Sequence, residues 1–381
     1  MPNLFDDLSR EQPLATHSRG EHLQFDRIIL AKGSVSLPER RRLVDSIVAL
    51  YPEAKVEEQL NTPHNQIDLG IVDPLKLHEA GKRTLVFGEL KTAVRFSEEE
   101  GNTCPNYWHF SPYGFCPYGC KYCYLAGTRG VWHSPSVKIY VNLPEMLGRI
   151  DVIARKLARP TAFYLGKLQD GLALDPLTGY SRTLVPFFAE HPYARQVILT
   201  KSASIGNLLD LDHRGNTILS WSVNPPDIAT QFEANVPTVA ERIDAMRRCA
   251  EKGYPVRAVI MPVIPVEGRQ RIYSEFVADL LTRVPVNRLT IGGICSYRNA
   301  KMLMERKMTK SNVISANMAS SETGDGRMRY AAQLRRKSYA AIIESALELR
   351  PELQIALCLE EREVWAGLDL EKNIGRCNCV L

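Results

Sequence analysis

Short apolar runs alternate with helix-length amphipathic segments through most of the chain after residue 135. The runs that read as strands are 136–142, 162–167, 194–201, 217–224, 256–264, 288–295 and 354–360. Segments such as 237–253 and 335–349 are long enough for helices between them. Apolar strands separated by helices form parallel sheets that helices cover. About six such units predict an α/β fold, an incomplete (β/α) barrel with its functional groups at the carboxyl ends of the strands.

The same pattern divides the chain into parts. A small α/β lead-in is expected before the barrel, because apolar runs at 27–33 and 83–92 flank a helical stretch at 38–50. A segment rich in Pro, Gly and aromatic residues, 101–115, separates the two. The predicted parts are a mobile arm over 1–22, the lead-in over 23–100, the partial barrel over 101–370 and a tail over 371–381 that carries Cys377 and Cys379.

The composition is that of an ordinary globular protein, with 45% hydrophobic and 24% charged residues among 381. No uninterrupted apolar stretch reaches the roughly 20 residues that a membrane helix needs, and the start of the chain lacks the layout of a secretory signal. We therefore expect no membrane segment and a cytoplasmic location. In that reducing compartment, nine cysteines favour metal binding or catalysis over disulfides. The net charge of +5 permits a polyanionic partner without requiring one.

Three cysteines stand close together at Cys116, Cys120 and Cys123, and Pro117 and Gly119 between them suit a loop that wraps around one cluster. Thiolates are the preferred protein ligands of iron–sulfur clusters. Three ligands leave one iron of a [4Fe–4S] cluster open to bind S-adenosylmethionine, whose reductive cleavage starts radical chemistry. The alternative is zinc, but structural zinc sites close with four ligands, and no CxxC or HxxxH partner lies nearby.

Several further motifs follow one another in a fixed order. They are Thr-Pro-His-Asn-Gln at 62–66, Cys-Lys-Tyr-Cys-Tyr-Leu at 120–125, Val-Lys-Ile-Tyr-Val-Asn at 137–142, Thr-Lys at 200–201, Ser-Val-Asn at 222–224, Arg-Ile-Asp-Ala at 242–245, Gly-Tyr-Pro-Val at 253–256 and Glu-Gly at 267–268. With them the chain resembles the spore photoproduct lyase family of radical S-adenosylmethionine enzymes. The resemblance implies a partial (β/α)6-type radical SAM barrel and a 5′-deoxyadenosyl radical that abstracts hydrogen from a thymine-dimer lesion for direct repair. It also implies damaged duplex DNA and an electron donor, such as flavodoxin or ferredoxin, as partners.

The resemblance also assigns site residues. It places Tyr122 and Tyr124 beside the cluster and substrate, with Tyr124 in the path of hydrogen transfer. It implies that S-adenosylmethionine is bound by Asp170, Lys201, Ser222 and Asn224. The residues themselves agree in part, because Lys201 and the Ser222/Asn224 pair stand at the ends of predicted strands. The alternative for each is a capping or turn function.

One departure from the family concerns a thiol. The family has a cysteine shortly before the position of Asp170 that returns a hydrogen atom to the product radical, whereas residues 164–170 here contain none. We predict that Cys377 and Cys379, in a tail long enough to fold over a barrel mouth, act as hydrogen donor or redox pair. Metal binding and a tail without function remain open. Cys295 and Cys358 lie in apolar runs and are interpreted as small buried hydrophobic residues.

A DNA lesion must leave the duplex before a radical inside a barrel can reach it, so a basic rim is expected. The candidates are Arg269, Arg271, Lys301, Arg306, Arg327, Arg329, Tyr330, Arg335, Arg336 and Lys337. Among them Arg329 and Tyr330 match an Arg-Tyr pair in the lesion-binding region of the family, and a solvated helix face is the alternative for 335–337. The rival function is a radical enzyme acting on RNA, a peptide or a small molecule, with the terminal cysteines binding an auxiliary metal or a thiophilic substrate.

Overall fold

The structure is a computed structural model that describes residues 18, 20, 22–99, 101–320 and 325–381. The predicted arm over 1–22 lies outside the described residues except for Ser18, Gly20 and His22. Within the described part, no helix combines the length and the apolar character needed to cross a membrane.

A five-stranded sheet forms the amino-terminal layer. Its parallel strands begin with β1 (Arg27–Ala31), β2 (Lys55–Gln59) and β3 (Thr84–Gly88), joined by helices α1 (Pro38–Val48) and α2 (Pro74–Lys82). The side chains of β3 are all buried, and Asp73 caps α2 by accepting hydrogen bonds from two main-chain amides of its first turn. The predicted α/β lead-in therefore has the expected type of structure.

The next part of the chain carries the elements around the cysteine motif. They are β4 (Val94–Ser97), β5 (Tyr107–Phe110), β6 (Tyr113–Gly114), β7 (Gly119–Cys120), a 3₁₀ turn (Tyr124–Gly127), α3 (Arg129–His133), β8 (Val137–Tyr140) and α4 (Leu143–Leu157). The alternation pattern groups 136–142 with the barrel, but β8 pairs with β3 in the amino-terminal sheet. All four residues of β8 are buried, and a strand buried on both faces has no pattern that tells one parallel sheet from another.

The second and larger sheet is the predicted barrel. After β5 its parallel strands are β9 (Thr161–Leu165), β10 (Ala194–Thr200), β11 (Thr217–Ser222), β13 (Val256–Ile260), β14 (Arg288–Ile291) and β18 (Gln354–Leu357), in that spatial order, with β4 antiparallel to β5 at the edge. The two edge strands, β4 and β18, do not pair with each other within the described residues. The segment 101–115, interpreted from sequence as a separator, in fact contains β5, which is only four residues long and flanked by Pro and Gly.

Helices and short strands complete the fold. They are α5 (Asp175–Thr178), α6 (Ser181–Glu190), α7 (Pro226–Phe232), β12 (Glu233–Ala234), α8 (Val239–Glu251), α9 (Arg269–Arg283), β15 (Cys295–Tyr297), α10 (Arg298–Lys307), β16 (Ala319–Ser320), β17 (Arg327–Arg329), α11 (Ala332–Leu349), α12 (Arg362–Ala366) and a 3₁₀ turn (Glu371–Asn373). Helix α8 begins at a capping box between Thr238 and Glu241. Strands β15, β17 and β16 form a separate antiparallel sheet.

The carboxyl-terminal segment after residue 373 enters the barrel sheet's interior. Cys377 and Cys379 are only 2% and 8% exposed and pack with residues of four barrel strands, among them Ala162 and Ile218. These two residues lie near the amino ends of β9 and β11. The same cluster includes Tyr164 and Leu199 nearer the carboxyl ends, so the segment fills the interior along the strands.

Candidate active site

The triad, Cys116, Cys120 and Cys123, lies on the loop that follows β6. Strand β7 pairs with β12, which places Cys120 opposite Glu233. Lys82 donates hydrogen bonds to the main-chain oxygens of Cys116 and Tyr118, and its ammonium group lies 3.8 Å from the centroid of the Phe115 ring. The loop is thus fastened at both ends, by a strand pair and by a lysine.

The thiols of the triad lie in an enclosed but positively charged environment. Burial raises the pKa of Cys120 to about 12, although the nearby charge of Lys201 lowers it. Burial likewise raises the pKa of Cys116, and Lys82 opposes that change. Metal ligation requires thiolates, and the two lysines supply the charge that favours them.

The triad lines a cavity of about 180 Å³. Tyr122, Tyr124, Asp170, Lys201 and Ser222 line the same cavity, so the structure brings together five of the six residues that the resemblance assigned around the cluster. A larger depression of about 1120 Å³ borders no cysteine and lies on another side of Tyr118. The smaller cavity is the candidate active site, because it alone of the two joins thiols to polar groups at the carboxyl ends of strands.

Asp170 organises the turn after β9. Its Oδ1 accepts hydrogen bonds from the amides of Leu172 and Ala173, at 3.0 and 2.9 Å. The hydroxyl of Thr200 donates to the same oxygen at 2.6 Å, and the amide of Lys201 donates to Oδ2 at 2.7 Å. Burial raises the pKa of Asp170 although these bonds oppose the change. The carboxylate therefore ties the end of β9 to the end of β10 and fixes the position of Lys201.

Lys201 and Ser222 meet across two neighbouring strands. The ammonium of Lys201 donates to Ser222 Oγ at 2.9 Å and lies 5.6 Å from the centroid of the Tyr122 ring. Asn224 is different, because it is fully buried, does not line the cavity, and accepts a hydrogen bond from the Tyr273 hydroxyl at 3.1 Å. Its Nδ2 has no partner among the described residues. Lys201 and Ser222 therefore both line the cavity, whereas Asn224 lies in the protein interior behind the cavity wall.

A buried ion pair fixes Tyr122. Its hydroxyl donates to Glu233, and Glu233 Oε2 lies 2.6 Å from Arg242 Nη2, with both side chains only 1% exposed. Burial opposes ionisation of Glu233, but Lys201, Arg242 and the Tyr122 hydroxyl outweigh it and lower its pKa. Arg242 also donates to the main-chain oxygen of Ser222 at 3.2 Å. Sequence reasoning missed this pair; the only signal was that Arg242 opens the motif at 242–245.

Comparison with known proteins decides the family. The model of the family described as spore photoproduct lyase matches residues 33–332. The chain belongs to the spore photoproduct lyase family. The spore photoproduct lyase of Bacillus subtilis (strain 168) is 28% identical over 233 residues, 60% of this chain and 66% of that protein. The enzyme of Geobacillus sp. (strain Y412MC61) is 27% identical over 272 residues, 69% of this chain and 77% of that protein.

Solved structures agree with the fold. A spore photoproduct lyase complexed with dinucleoside spore photoproduct has a TM-score of 0.77 and 22% identity, over 89% of this chain and all of that one. A variant solved with bound AdoMet and dinucleoside spore photoproduct has a TM-score of 0.76 over 88% of this chain and 99% of that one, at 22% identity. The predicted family and the radical SAM fold are confirmed. As a family member the chain is a radical S-adenosylmethionine lyase.

The predicted lesion contacts of this family member do not line the cavity. Arg329, in β17, is 3% exposed and forms an ion pair with Asp325 at 2.5 Å. Tyr330 is also 3% exposed. Arg269 begins α9 and donates to Ser338 Oγ at 3.1 Å. The structure therefore places Arg329 and Tyr330 in or beside the small antiparallel sheet and Arg269 between α9 and α11, and the contact of these three with a lesion stays a prediction.

Cys295 is buried, at 8% exposed, as its apolar surroundings in the sequence predict. It begins β15 and also lines the cavity together with the triad. Its position just beyond an apolar strand was the available signal. Cys377 and Cys379 do not line the cavity. They lie instead with Cys104 in the barrel interior, so their predicted part in hydrogen transfer stays untested.

Proposed function

We propose that this chain cleaves S-adenosylmethionine at a [4Fe–4S] cluster held by Cys116, Cys120 and Cys123 and repairs a methylene-bridged thymine dimer in DNA. The single observation that carries the proposal is the cavity in which the triad faces Lys201, Ser222 and Asp170. When bound, the cluster supplies the electron that breaks a carbon–sulfur bond of S-adenosylmethionine and releases methionine and the 5′-deoxyadenosyl radical.

The residues present fit that cluster and its substrate. One loop provides three thiols, which leaves an iron free for the amino and carboxylate groups of S-adenosylmethionine. Lys201 and Ser222 offer a cation and a hydroxyl on the same wall of the cavity, suited to hold the carboxylate or ribose. Asp170 is a positioning residue, because protein donors already surround its two oxygens. Asn224 is likewise proposed to position other residues of the site, because it lies behind the cavity and does not line it.

Tyr122 and Tyr124 have different places in the proposed mechanism. Tyr122 is held rigidly by Glu233 and completes the wall beside Lys201. Tyr124 is 38% exposed at the cavity, with its hydroxyl donating to the main-chain oxygen of Lys167. Lys167 belongs to the segment 164–170 that lacks the family's thiol. Tyr124 is therefore placed to lie between the substrate and that segment, in the path of hydrogen transfer.

A thiol of this cavity is proposed to complete the reaction. Cys295 lines the cavity, whereas Cys377 and Cys379 do not, so Cys295 is the better-placed donor of a hydrogen atom to the product radical. Its S–H bond breaks, a C–H bond of the product forms, and a thiyl radical remains. One electron from the external one-electron donor and one proton from solvent return the thiyl radical to the thiol.

The proposed partners follow from the substrate. A lesion extruded from duplex DNA would approach between the triad loop and the antiparallel sheet of β15, β17 and β16, where Arg269, Arg329 and Tyr330 support the substrate side. A small protein such as flavodoxin or ferredoxin is proposed as the source of electrons. A cytoplasmic location is proposed with them, because DNA and the electron donor would both be available there.

The test is repair of a defined lesion. Anaerobically reconstituted protein with a strong reductant is given dinucleoside spore photoproduct, undamaged dinucleotide or no addition, and products are identified by mass. We expect 5′-deoxyadenosine in all three reactions and repaired dinucleotide in the first alone. The same assay is repeated with irradiated duplex DNA. If S-adenosylmethionine is cleaved but neither the dinucleoside nor the duplex is repaired, the DNA assignment is overturned. An RNA, peptide or small-molecule substrate is then favoured.

A further inference from the structure

Four cysteines from three distant segments converge inside the barrel sheet. Cys104 precedes β5, Cys358 follows β18, and Cys377 and Cys379 belong to the carboxyl-terminal segment. The thiol of Cys377 lies near enough to the other three to affect its ionisation, and Cys104 and Cys358 are likewise close to each other. We call these residues the four-thiol group. The group is separate from the triad and takes no part in the function proposed above.

The group is enclosed, and its surroundings suit thiolates. Cys377 and Cys379 pack among Tyr107, Ala162 and other inward-facing residues of the barrel sheet, with Cys104 against them. The amide of Leu359 donates a hydrogen bond to Cys104 Sγ at 3.3 Å. An N–H group directed at sulfur stabilises a thiolate more than a thiol, because the bond to a charged acceptor is stronger.

Two buried arginines bind the same segment. Arg257 donates to the main-chain oxygens of Asn378 at 3.2 Å and Val380 at 2.6 Å. Arg288 donates to that of Cys377 at 2.8 Å. Each arginine is 5% exposed, and neither has an Asp or Glu side chain as partner within the described residues, although Arg288 also donates to an oxygen of Leu381 at 3.0 Å. A buried cation without a carboxylate is costly unless another negative charge compensates it.

The charge that is needed matches a tetrathiolate metal site. Four thiolates around a divalent cation carry a net charge of two minus, and the two guanidinium groups beside them carry charge of the opposite sign. A further unsatisfied donor lies in the same place, because Nδ2 of Asn378, between the two terminal cysteines, has no partner among the described residues while its Oδ1 lies 2.8 Å from Ser220 Oγ. Asn378 is only 3% exposed.

We propose that Cys104, Cys358, Cys377 and Cys379 bind a thiophilic divalent metal, Zn²⁺ or Fe²⁺, as four thiolates with release of their protons. Four sulfur ligands favour these metals and a closed tetrahedral site. Such a site fastens the carboxyl-terminal segment to opposite sides of the barrel sheet, next to β5 and next to the edge strand β18. In the described residues no three Cys, His, Asp or Glu side chains have the tight spacing of a loaded metal site. The same is true of the triad, and binding a metal at either group would require its sulfurs to move closer together.

The experiment measures metal content apart from the triad. The full chain with Cys116→Ala, Cys120→Ala and Cys123→Ala is loaded with Zn²⁺, desalted, and analysed for zinc by mass spectrometry. We expect about one zinc per chain, the stoichiometry of a structural site. Adding Cys377→Ser and Cys379→Ser should lower bound zinc at least tenfold. Adding Cys249→Ser instead, at a buried thiol of α8 outside both groups, should leave bound zinc unchanged.

Two further measurements keep the test decisive. Co²⁺ bound to the triad-free chain should show thiolate charge-transfer and tetrahedral absorption bands, and the metal retained in protein purified from cells distinguishes zinc from iron. If the terminal double variant loses its native circular dichroism, Cys104→Ser, on another segment, should reduce metal binding in a folded chain. A folded triad-free chain that retains neither zinc nor iron overturns the proposal. So does a Cys377–Cys379 disulfide in peptide mass spectra of the purified chain, which would identify a redox pair.

Discussion

The two thiol groups of this chain differ in how they are built. The triad comes from one loop, is half-buried and lines a cavity together with Lys201 and Ser222. The four-thiol group comes from three segments and is enclosed by the barrel sheet, with Cys377 only 2% exposed. Three ligands on one loop leave room for a substrate, as a catalytic centre requires. Four ligands from distant segments leave no open position, which suits a cross-link that holds the fold.

The two thiol groups also differ in which charged side chains surround them. Near the triad, the buried Arg242 has a carboxylate partner in Glu233, while Lys82 and Lys201 face the thiols. Near the four-thiol group, Arg257 and Arg288 bind main-chain oxygens and the side chain of Gln354, and Arg288 also donates to an oxygen of Leu381 at 3.0 Å. Thiolates at either group would therefore lie beside positive charge, from lysines at the triad and from buried arginines at the four-thiol group.

The largest expected effect is on the triad. Cys120→Ala should abolish both the brown iron–sulfur chromophore and 5′-deoxyadenosine formation in reconstituted protein, because two thiolates do not hold the cluster. Zinc bound at the four-thiol group should persist. Cys249→Ala is the matched control and should keep full cleavage activity. Full activity in the Cys120→Ala protein would contradict the assignment of the triad.

A smaller effect is expected from the ion pair beside the triad. Glu233→Gln keeps the shape but leaves Arg242 buried without its counter-charge. Breaking a buried pair in this way costs about 3 kcal/mol, so the midpoint of urea unfolding should fall. Glu241→Gln, at an exposed carboxylate of the neighbouring capping box, should cost about 1 kcal/mol or less. If both variants lose the same free energy of unfolding, the ion pair between Glu233 and Arg242 does not stabilise the fold as predicted.

Lys201→Met tests the binding wall of the cavity. Met keeps the apolar stem but removes the ammonium that donates to Ser222 Oγ. We expect KM for S-adenosylmethionine to rise about tenfold, equivalent to about 1.4 kcal/mol, with the zinc content unchanged. Lys252→Met, at an exposed lysine after α8, serves as control. An unchanged KM would remove Lys201 from the binding site.

The smallest effect is expected for Cys295. Cys295→Ala should leave cleavage of S-adenosylmethionine within about twofold of the parent while repaired dinucleotide falls and adducts of the unquenched product radical appear. Repair should fall because Cys295 is a thiol of the cavity that does not belong to the triad. Cleavage should change little because the loss of one small side chain has a small effect on binding. Product ratios by mass spectrometry provide the measurement. If the ratio changes in Cys377→Ser/Cys379→Ser and stays the same in Cys295→Ala, the donor lies in the carboxyl-terminal segment instead.

Much of the active site could be predicted from sequence because its parts are local. The triad is one loop, and Lys201 and Ser222 each end a strand that apolar residues define. Since parallel strands present their carboxyl ends at one edge, these side chains had to lie near one another. The strand β5 was missed because four residues flanked by Pro and Gly give too short a pattern. Strand β8 was recognised, but its partner was not, because its burial on both faces suits either sheet.

The sequence by itself determined the chemistry of the chain: an α/β barrel, a three-cysteine loop and the family to which both belong. Only the tertiary structure decided which of the remaining thiols meet. Cys104 and Leu359 lie 255 positions apart yet share a hydrogen bond, and Cys295 lines the same cavity as the triad. Hydrophobic periodicity reports whether a residue is buried and says nothing about its neighbours. Contacts between distant segments depend on strand order and on where a terminal segment packs, which only the folded chain specifies.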